Sequence, residues 1–132
     1  MLIGNDLELK LVAGAKTLDD AIAMLRHSRI PMIVSKMGDL GTRVCMGESS
    51  VFLMPYKVDV VSTIGAGDGF ASGFLYALLR GKSVEECLHY GNAAAAIVVS
   101  RLSCSEAMPT LAEVERLIEE QKARVTPTAQ SS

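Results

Sequence analysis

The sequence lacks an excess of charge of either sign. Its 13 Lys and Arg against 15 Asp and Glu leave a formal net charge of -2, so nothing electrostatic points to nucleic acid or an anionic membrane as a partner. It also lacks a long hydrophobic run. The longest apolar stretches lie around Phe70–Leu79 and Ala93–Val99, far short of the roughly 20 residues that cross a bilayer. The opening MLIGNDLELK has no basic segment followed by an apolar core, so no signal peptide is expected. Cysteine is scarce. Cys45, Cys87 and Cys104 are odd in number and without CxxC spacing, which favours reduced thiols in a cytoplasmic protein over a disulfide framework. His27 and His89 have no Cys, Asp or Glu at metal-ligand spacing, so both are read as surface or helix-end residues. Cys87 is read as a buried, inert thiol, and the scattered methionines as core filling.

What remains is an ordinary globular composition: 49% hydrophobic and 21% charged over 132 residues, enough to bury a core. With neither internal repeat nor linker, residues 1–125 are expected to form one domain, and the tail TPTAQSS, residues 126–132, to be disordered.

Two periodicities alternate along the chain. TLDDAIAMLRHSR begins with Thr17 as N-cap and places Leu18, Ala21, Ile22 and Leu25 on one helical face. Ser83-x-x-Glu86 and Thr110-x-x-Glu113 both match the capping box, in which hydroxyl and carboxylate satisfy orphaned amide donors at a helix start. Between the first and second of these, MIVSK, TRVCM, SVFLMPY and DVVS read as short strands at hairpin-like separations. The order predicts an α/β sheet covered on both faces, then three consecutive helices, the first opening at GAGD.

The segment STIGAGDGFASGF, Ser62 to Phe74, concentrates the chemistry. A turn there feeds a helix that Arg80-Gly81 closes. Unpaired N–H groups and the helix dipole make such a start attractive to anions. Gly65, Ala66 and Gly67 leave room for a phosphate to approach those amides, and Asp68 on the first turn can accept a proton from a hydroxyl. A phosphate cradle beside a base is the minimum equipment for phosphoryl transfer to an alcohol. The competing reading makes Asp68 a first-turn carboxylate and the glycines packing residues; Gly69 and Gly73, at i and i+4, are assigned to packing. Two other phosphate motifs fail. G-x-G-x-x-G meets Phe70 where its third glycine belongs, and Gly81-Lys82-Ser83 has Tyr76 where a Walker A loop needs glycine.

STIGAGDGF resembles the carboxyl-terminal signature D-T-x-G-A-G-D of the PfkB, or ribokinase-like, carbohydrate kinases. SKMGDLGTRV, GNAAAAIVVSR, AMPT and the early NDLE match other family segments in order, so the resemblance runs from about Asn5 to Leu117. The phrasing is most similar to the inositol-catabolism branch, whose acceptor is 5-dehydro-2-deoxygluconate. The resemblance implies a Rossmann-like three-layer α/β sandwich, present as its C-terminal portion. It implies an ATP-dependent, Mg²⁺-assisted kinase whose small-molecule partners are ATP and a sugar or sugar acid.

It also implies roles. Asp68 becomes the catalytic base, and the amides of Gly65, Ala66 and Gly67 the anion hole. Asn5 and Glu8 orient phosphates and Mg²⁺-bound water, Glu8 reaching the metal through water. Lys36, Gly38 and Gly41 line the nucleotide, and Asn92 lies near the adenine. Read without the family, NDLE is a turn entering a helix, KMGDLG a hairpin turn, and Asn92 a surface or packing amide. Ser62 stands where the family has aspartate and supplies no charge, so the monovalent-cation role of that position is not carried over; Asp59 is out of register. Nothing resembles the family's amino-terminal sugar-contacting half or its β lid. The chain is therefore expected to turn over poorly alone and to self-associate through exposed sheet surface. The alternative is a non-catalytic nucleotide-binding or assembly module.

Overall fold

The computed structural model describes residues 1–63, 65–101, 109–122 and 128–131. The chain divides into two compact units, one of residues 1–54 with the C-terminal strand and one of residues 55–126.

The first unit is built on a five-stranded sheet in the order β1-β2-β3-β4-β5. β1 (Leu2–Asn5) leads into α1 (Asp6–Ala13) and α2 (Leu18–His27), and this two-helix crossover returns to β2 (Ile33–Lys36). β1 and β2 are parallel, with Asn5 beside Lys36 at their ends. β2, β3 (Thr42–Met46) and β4 (Ser49–Leu53) then run antiparallel through hairpins. The period-2 alternation sorts the sheet. Ile33 and Cys45, paired across β2 and β3, join Leu9, Ala21, Ile22 and Leu25 in one buried cluster under α1 and α2. Val34, Val44 and Leu53 on the opposite face are also fully buried. Both faces are out of water, as the β-branched strands imply.

The tail departs from expectation. Thr128–Ser131 forms β5, antiparallel to β4. Its polar composition carries no strand signal; what it finds is the open ladder of an edge strand.

The second unit holds α3 (Ala66–Leu79), α4 (Val84–Val99) and α5 (Leu111–Gln121). α3 ends as predicted: Gly81, at φ 73°, donates to Leu78 and Lys82 to Ala77, the paired bonds of a Schellman stop. Packing of α3 on α4 depends on missing side chains. A Cβ on Gly73 would run into the Tyr90 carbonyl, one on Gly69 would stand 2.9 Å from Val98, and one on Gly91 2.7 Å from the Phe70 ring. The packing role assigned to Gly69 and Gly73 holds.

DVVS, expected as a strand, is not one. The amides of Val61 and Ser62 both donate to the Val99 carbonyl, at 2.7 and 3.0 Å. That carbonyl lies at the end of α4, where the helix offers it no partner. The β-branched composition was a true signal for extended backbone, but the hydrogen bonds go to a helix terminus.

Candidate functional site

In the first unit the structure brings Asn5, Glu8, Lys36, Gly38 and Gly41 together at the carboxyl ends of the two parallel strands. That is where open α/β sheets take ligands. Asn5 ends β1 and caps α1 in one residue. Its side chain accepts from the Glu8 amide, and the Glu8 carboxylate accepts from the Asn5 amide, both at 2.8 Å. NDLE is therefore a capping box. One Glu8 oxygen serves the fold, and both side chains remain exposed. KMGDLG is a hairpin turn tightened by a short 3₁₀ segment, Gly38–Leu40, with Met37 donating to the Gly41 carbonyl at 2.8 Å. Gly41 has φ 97°, and a Cβ there would stand 2.6 Å from the Leu53 carbonyl. Its glycine is fixed by the fold before any ligand is considered.

In the second unit Gly65, Ala66, Gly67 and Asp68 share one turn. Gly65 is the N-cap of α3 at φ 84°, in the left-handed region, and supplies no side-chain cap. Among the described residues, the other four α-helices each begin with a side-chain oxygen as cap, from Asn5, Thr17, Ser83 and Thr110. Ala66 donates back to the Thr63 carbonyl at 3.3 Å, so one of the three amides assigned to an anion hole already has an acceptor. Gly67 and Asp68 follow on the first turn of α3, where backbone N–H groups lack a partner within the helix. Asp68 is exposed on that turn, next to the buried Gly69 and Phe70. α4 supports the turn from below: Val98 lies opposite both Gly65 and Gly69.

Asn92 lies apart from this turn. It precedes Val98 by six residues, about 9 Å along α4. It stands two residues from Tyr90 and Ala94, which face α3, hence about 200° round the helix from that face. The side chain is buried, which excludes the surface reading and leaves the packing and pocket readings.

The sequence reading of His89 is corrected. It is 3% exposed and bonded through Nδ1 to the hydroxyl of Tyr56, itself 5% exposed. A lone histidine gives no notice of a partner 33 residues away; an apolar helix face around it was the available hint. Burial lowers the His89 pKa, Lys122 adds to that, and Glu86 opposes it; burial raises that of Tyr56. His27 ends α2 and is exposed, as expected. Cys87 is buried and its thiol pushed up, first by burial, which fits an inert thiol; Cys104 lies outside the described residues. The box expected at Ser83 is half formed. Ser83 accepts from the Glu86 amide at 3.2 Å, while the Glu86 carboxylate takes Lys122 instead, at 2.8 Å.

The residues suit a nucleotide's phosphates, because α3 begins without a side-chain cap and Gly65 has no side chain to occlude that end. They suit Mg²⁺ only as an ion carried by phosphates and water. Among the described residues no three His, Cys, Asp or Glu groups could hold a metal, and Glu8 offers one carboxylate that is partly committed to the cap. Among the same residues, no helix is long and apolar enough to cross a membrane.

Comparison with known proteins agrees with this arrangement. The model of the pfkB family carbohydrate kinases matches residues 1–111. The 5-dehydro-2-deoxygluconokinase of Shouchella clausii is 40% identical over 124 residues, which cover 92% of this chain and 38% of that protein. The enzyme of the same name from Bacillus licheniformis is 50% identical over 107 residues, 80% of this chain and 33% of that one. A structure of Arabidopsis thaliana ribokinase complexed with ribose and ATP matches with a TM-score of 0.83 at 29% identity, over 89% of this chain and 40% of that one. The chain thus spans well under half the length of the curated relatives it matches. Its α/β fold is ribokinase-like.

Proposed function

Since the chain belongs to the PfkB family of carbohydrate kinases, we propose that it forms the nucleotide side of a cytoplasmic enzyme that transfers the γ-phosphate of ATP to a hydroxyl of 5-dehydro-2-deoxygluconate or a related sugar acid. The observation that carries this reading is the start of α3. It pairs an uncapped helix end with Asp68 on the first turn, where the family's signature aspartate falls.

In this reading Asp68 accepts the proton of the attacking hydroxyl. The amides of Gly65, Ala66 and Gly67 meet the charge that develops on the phosphoryl group. The Ala66 amide takes part once it exchanges the Thr63 carbonyl for the phosphate. Lys36, Gly38 and Gly41 run along the nucleotide from the end of β2, Asn92 faces the adenine, and Asn5 and Glu8 order the water around the metal. Mg²⁺, when bound with the nucleotide, neutralises phosphate charge. Ser62 brings no carboxylate to the position that serves a monovalent cation in related kinases, and none is assigned here.

Names of relatives support the acceptor, since 5-dehydro-2-deoxygluconokinases match at 40 and 50% identity. The 132 residues alone are expected to bind ATP and turn over slowly or not at all, because transfer needs the acceptor held in line with the phosphate. Exposed Leu7, Leu11 and Val12 on α1, with β1 at the sheet edge, favour association with another chain, including a second copy.

Calorimetry with ATP·Mg²⁺ on this chain and on Asp68→Asn, followed by an assay of ADP formed with 5-dehydro-2-deoxygluconate, tests the proposal. Equal binding by both is expected, with any turnover reduced about 10³-fold in the variant. Turnover that survives Asp68→Asn removes the base. Absence of binding in both favours the second reading, an assembly module that keeps the fold without the site.

A further inference from the structure

The segment that feeds the glycine-rich turn is fastened to α4 at two points. Tyr56 is bonded to His89 in the middle of the helix, and Val61 and Ser62 to the carbonyl of Val99 at its end. Five residues of extended chain cover about 17 Å, and ten helical residues about 15 Å. The spans match, so residues 56–61 form a strap along α4. Past the strap, the Thr63 carbonyl holds the Ala66 amide. A shift at Tyr56 therefore has a short, hydrogen-bonded route to the first turn of α3.

We infer that Tyr56 and His89 are positioning residues for the glycine-rich turn, and that they hold the strap in place only while the His89 imidazole is neutral. This rests on the reading of that turn as the anion site of phosphoryl transfer.

Chemistry assigns the proton. Burial raises the pKa of the Tyr56 phenol, so Tyr56 keeps its hydrogen and donates it to Nδ1, and the ring carries its own proton on Nε2. A proton added at Nδ1 turns the ring from acceptor to donor. The phenol O–H then loses its partner, and a charge enters a site where both residues are about 95% or more out of water. Other groups bear on the ring from two elements. Glu86 lies on α4 one turn earlier and favours the charged form; Lys122, at the end of α5, opposes it. Those two are paired at 2.8 Å, so each blunts the other and burial decides. A ring whose pKa is lowered by folding stabilises the fold fully above its ordinary value of 6.5. That stability is lost as pH falls below it, because the unfolded chain then binds the extra proton.

Amide exchange measured by NMR on the 132-residue chain, expressed as protection factors, reads the strap directly. Protection at Val61 and Ser62 should fall about tenfold from about pH 7.5 to about pH 5.5, relative to core amides such as Phe74 and Ala94. Tyr56→Phe should show that loss already at the higher pH and change little with acid. His89→Asn, which keeps an acceptor oxygen near the place of Nδ1 and does not titrate, should show no acid-dependent loss. The inference is overturned if Val61 and Ser62 track the core amides at every pH, if Tyr56→Phe leaves them unchanged, or if His89→Asn keeps the acid response. Binding of ADP·Mg²⁺ to the unmutated chain separates the two readings. The protection pattern without binding upholds the strap and removes the nucleotide site; binding without the pattern does the reverse.

Discussion

Two of the helices that carry residues matched to family motifs, α1 and α3, begin in opposite ways. α1 is closed by its own side chains: the Asn5 amide oxygen and the Glu8 carboxylate each satisfy the other's backbone N–H at 2.8 Å. α3 begins at Gly65, which has nothing to cap with. A helix that begins on glycine in place of a capping side chain forgoes only a few tenths of a kcal/mol, and packing readily makes that good. α3 is held by packing. Phe70, Phe74 and Ala77 are buried, and Gly69 and Gly73 bring its backbone against α4. Such burial contributes roughly 1.5–3 kcal/mol for each large side chain, which outweighs the missing cap. The lesson is a division of labour: packing fixes α3 along its length, and this leaves its first turn free to face a ligand.

If packing holds α3, then Gly73→Ala should be the most damaging single change. Its Cβ would meet the Tyr90 carbonyl, which is helix backbone and cannot swing aside. The helices must separate, at a cost of about 3 kcal/mol. Urea unfolding followed by circular dichroism measures it, since the chain has no tryptophan to report by fluorescence. A loss below about 1 kcal/mol would mean that the close approach contributes little and that α3 is held elsewhere.

This contrast was half legible in the sequence. Gly65 and Gly81 bracket α3 because each sits at positive φ where other residues are strained; Thr110-x-x-Glu113 forms its full capping box for a local reason too. Signals confined to four or five residues survive folding. What failed depended on distant partners. Glu86 has the spacing to close the Ser83 box, but Lys122 in the following helix takes its carboxylate. Val60 and Val61 favour extended backbone without saying that the carbonyl of Val99 would receive it. Thr128–Ser131 becomes a strand because β4 offers an edge, which no property of TAQS announces.

The capped helix should respond in the opposite manner to α3. Asn5→Ala removes the acceptor for the Glu8 amide and should cost about 1 kcal/mol. Glu8→Gln retains an oxygen that can accept from the Asn5 amide, so stability should change by only a few tenths. Binding of ATP·Mg²⁺ should nonetheless weaken in Glu8→Gln, because the charge is gone while the fold is kept. If Glu8→Gln binds as well as the unmutated chain, the box is purely structural and only α3 serves the nucleotide.

The smallest effect should come from Lys122, which ties the end of α5 to Glu86 on α4. Those side chains are 42 and 35% exposed, so solvent screens the pair and Lys122→Met should cost only a few tenths of a kcal/mol near pH 7.5. The pH dependence of that loss is more telling than its size. The bond to Lys122 is the main reason that the Glu86 carboxyl sits below its ordinary value, and its contribution persists down to the carboxylate range. Lys122 also disfavours the charged form of His89. Without it the His89 pKa moves up toward its ordinary value, so the fold gives up less stability between about pH 7.5 and pH 5.5. The gap between Lys122→Met and the unmutated chain should therefore narrow on acidification. A gap that widens would detach Lys122 from His89 and leave burial alone to keep that ring neutral.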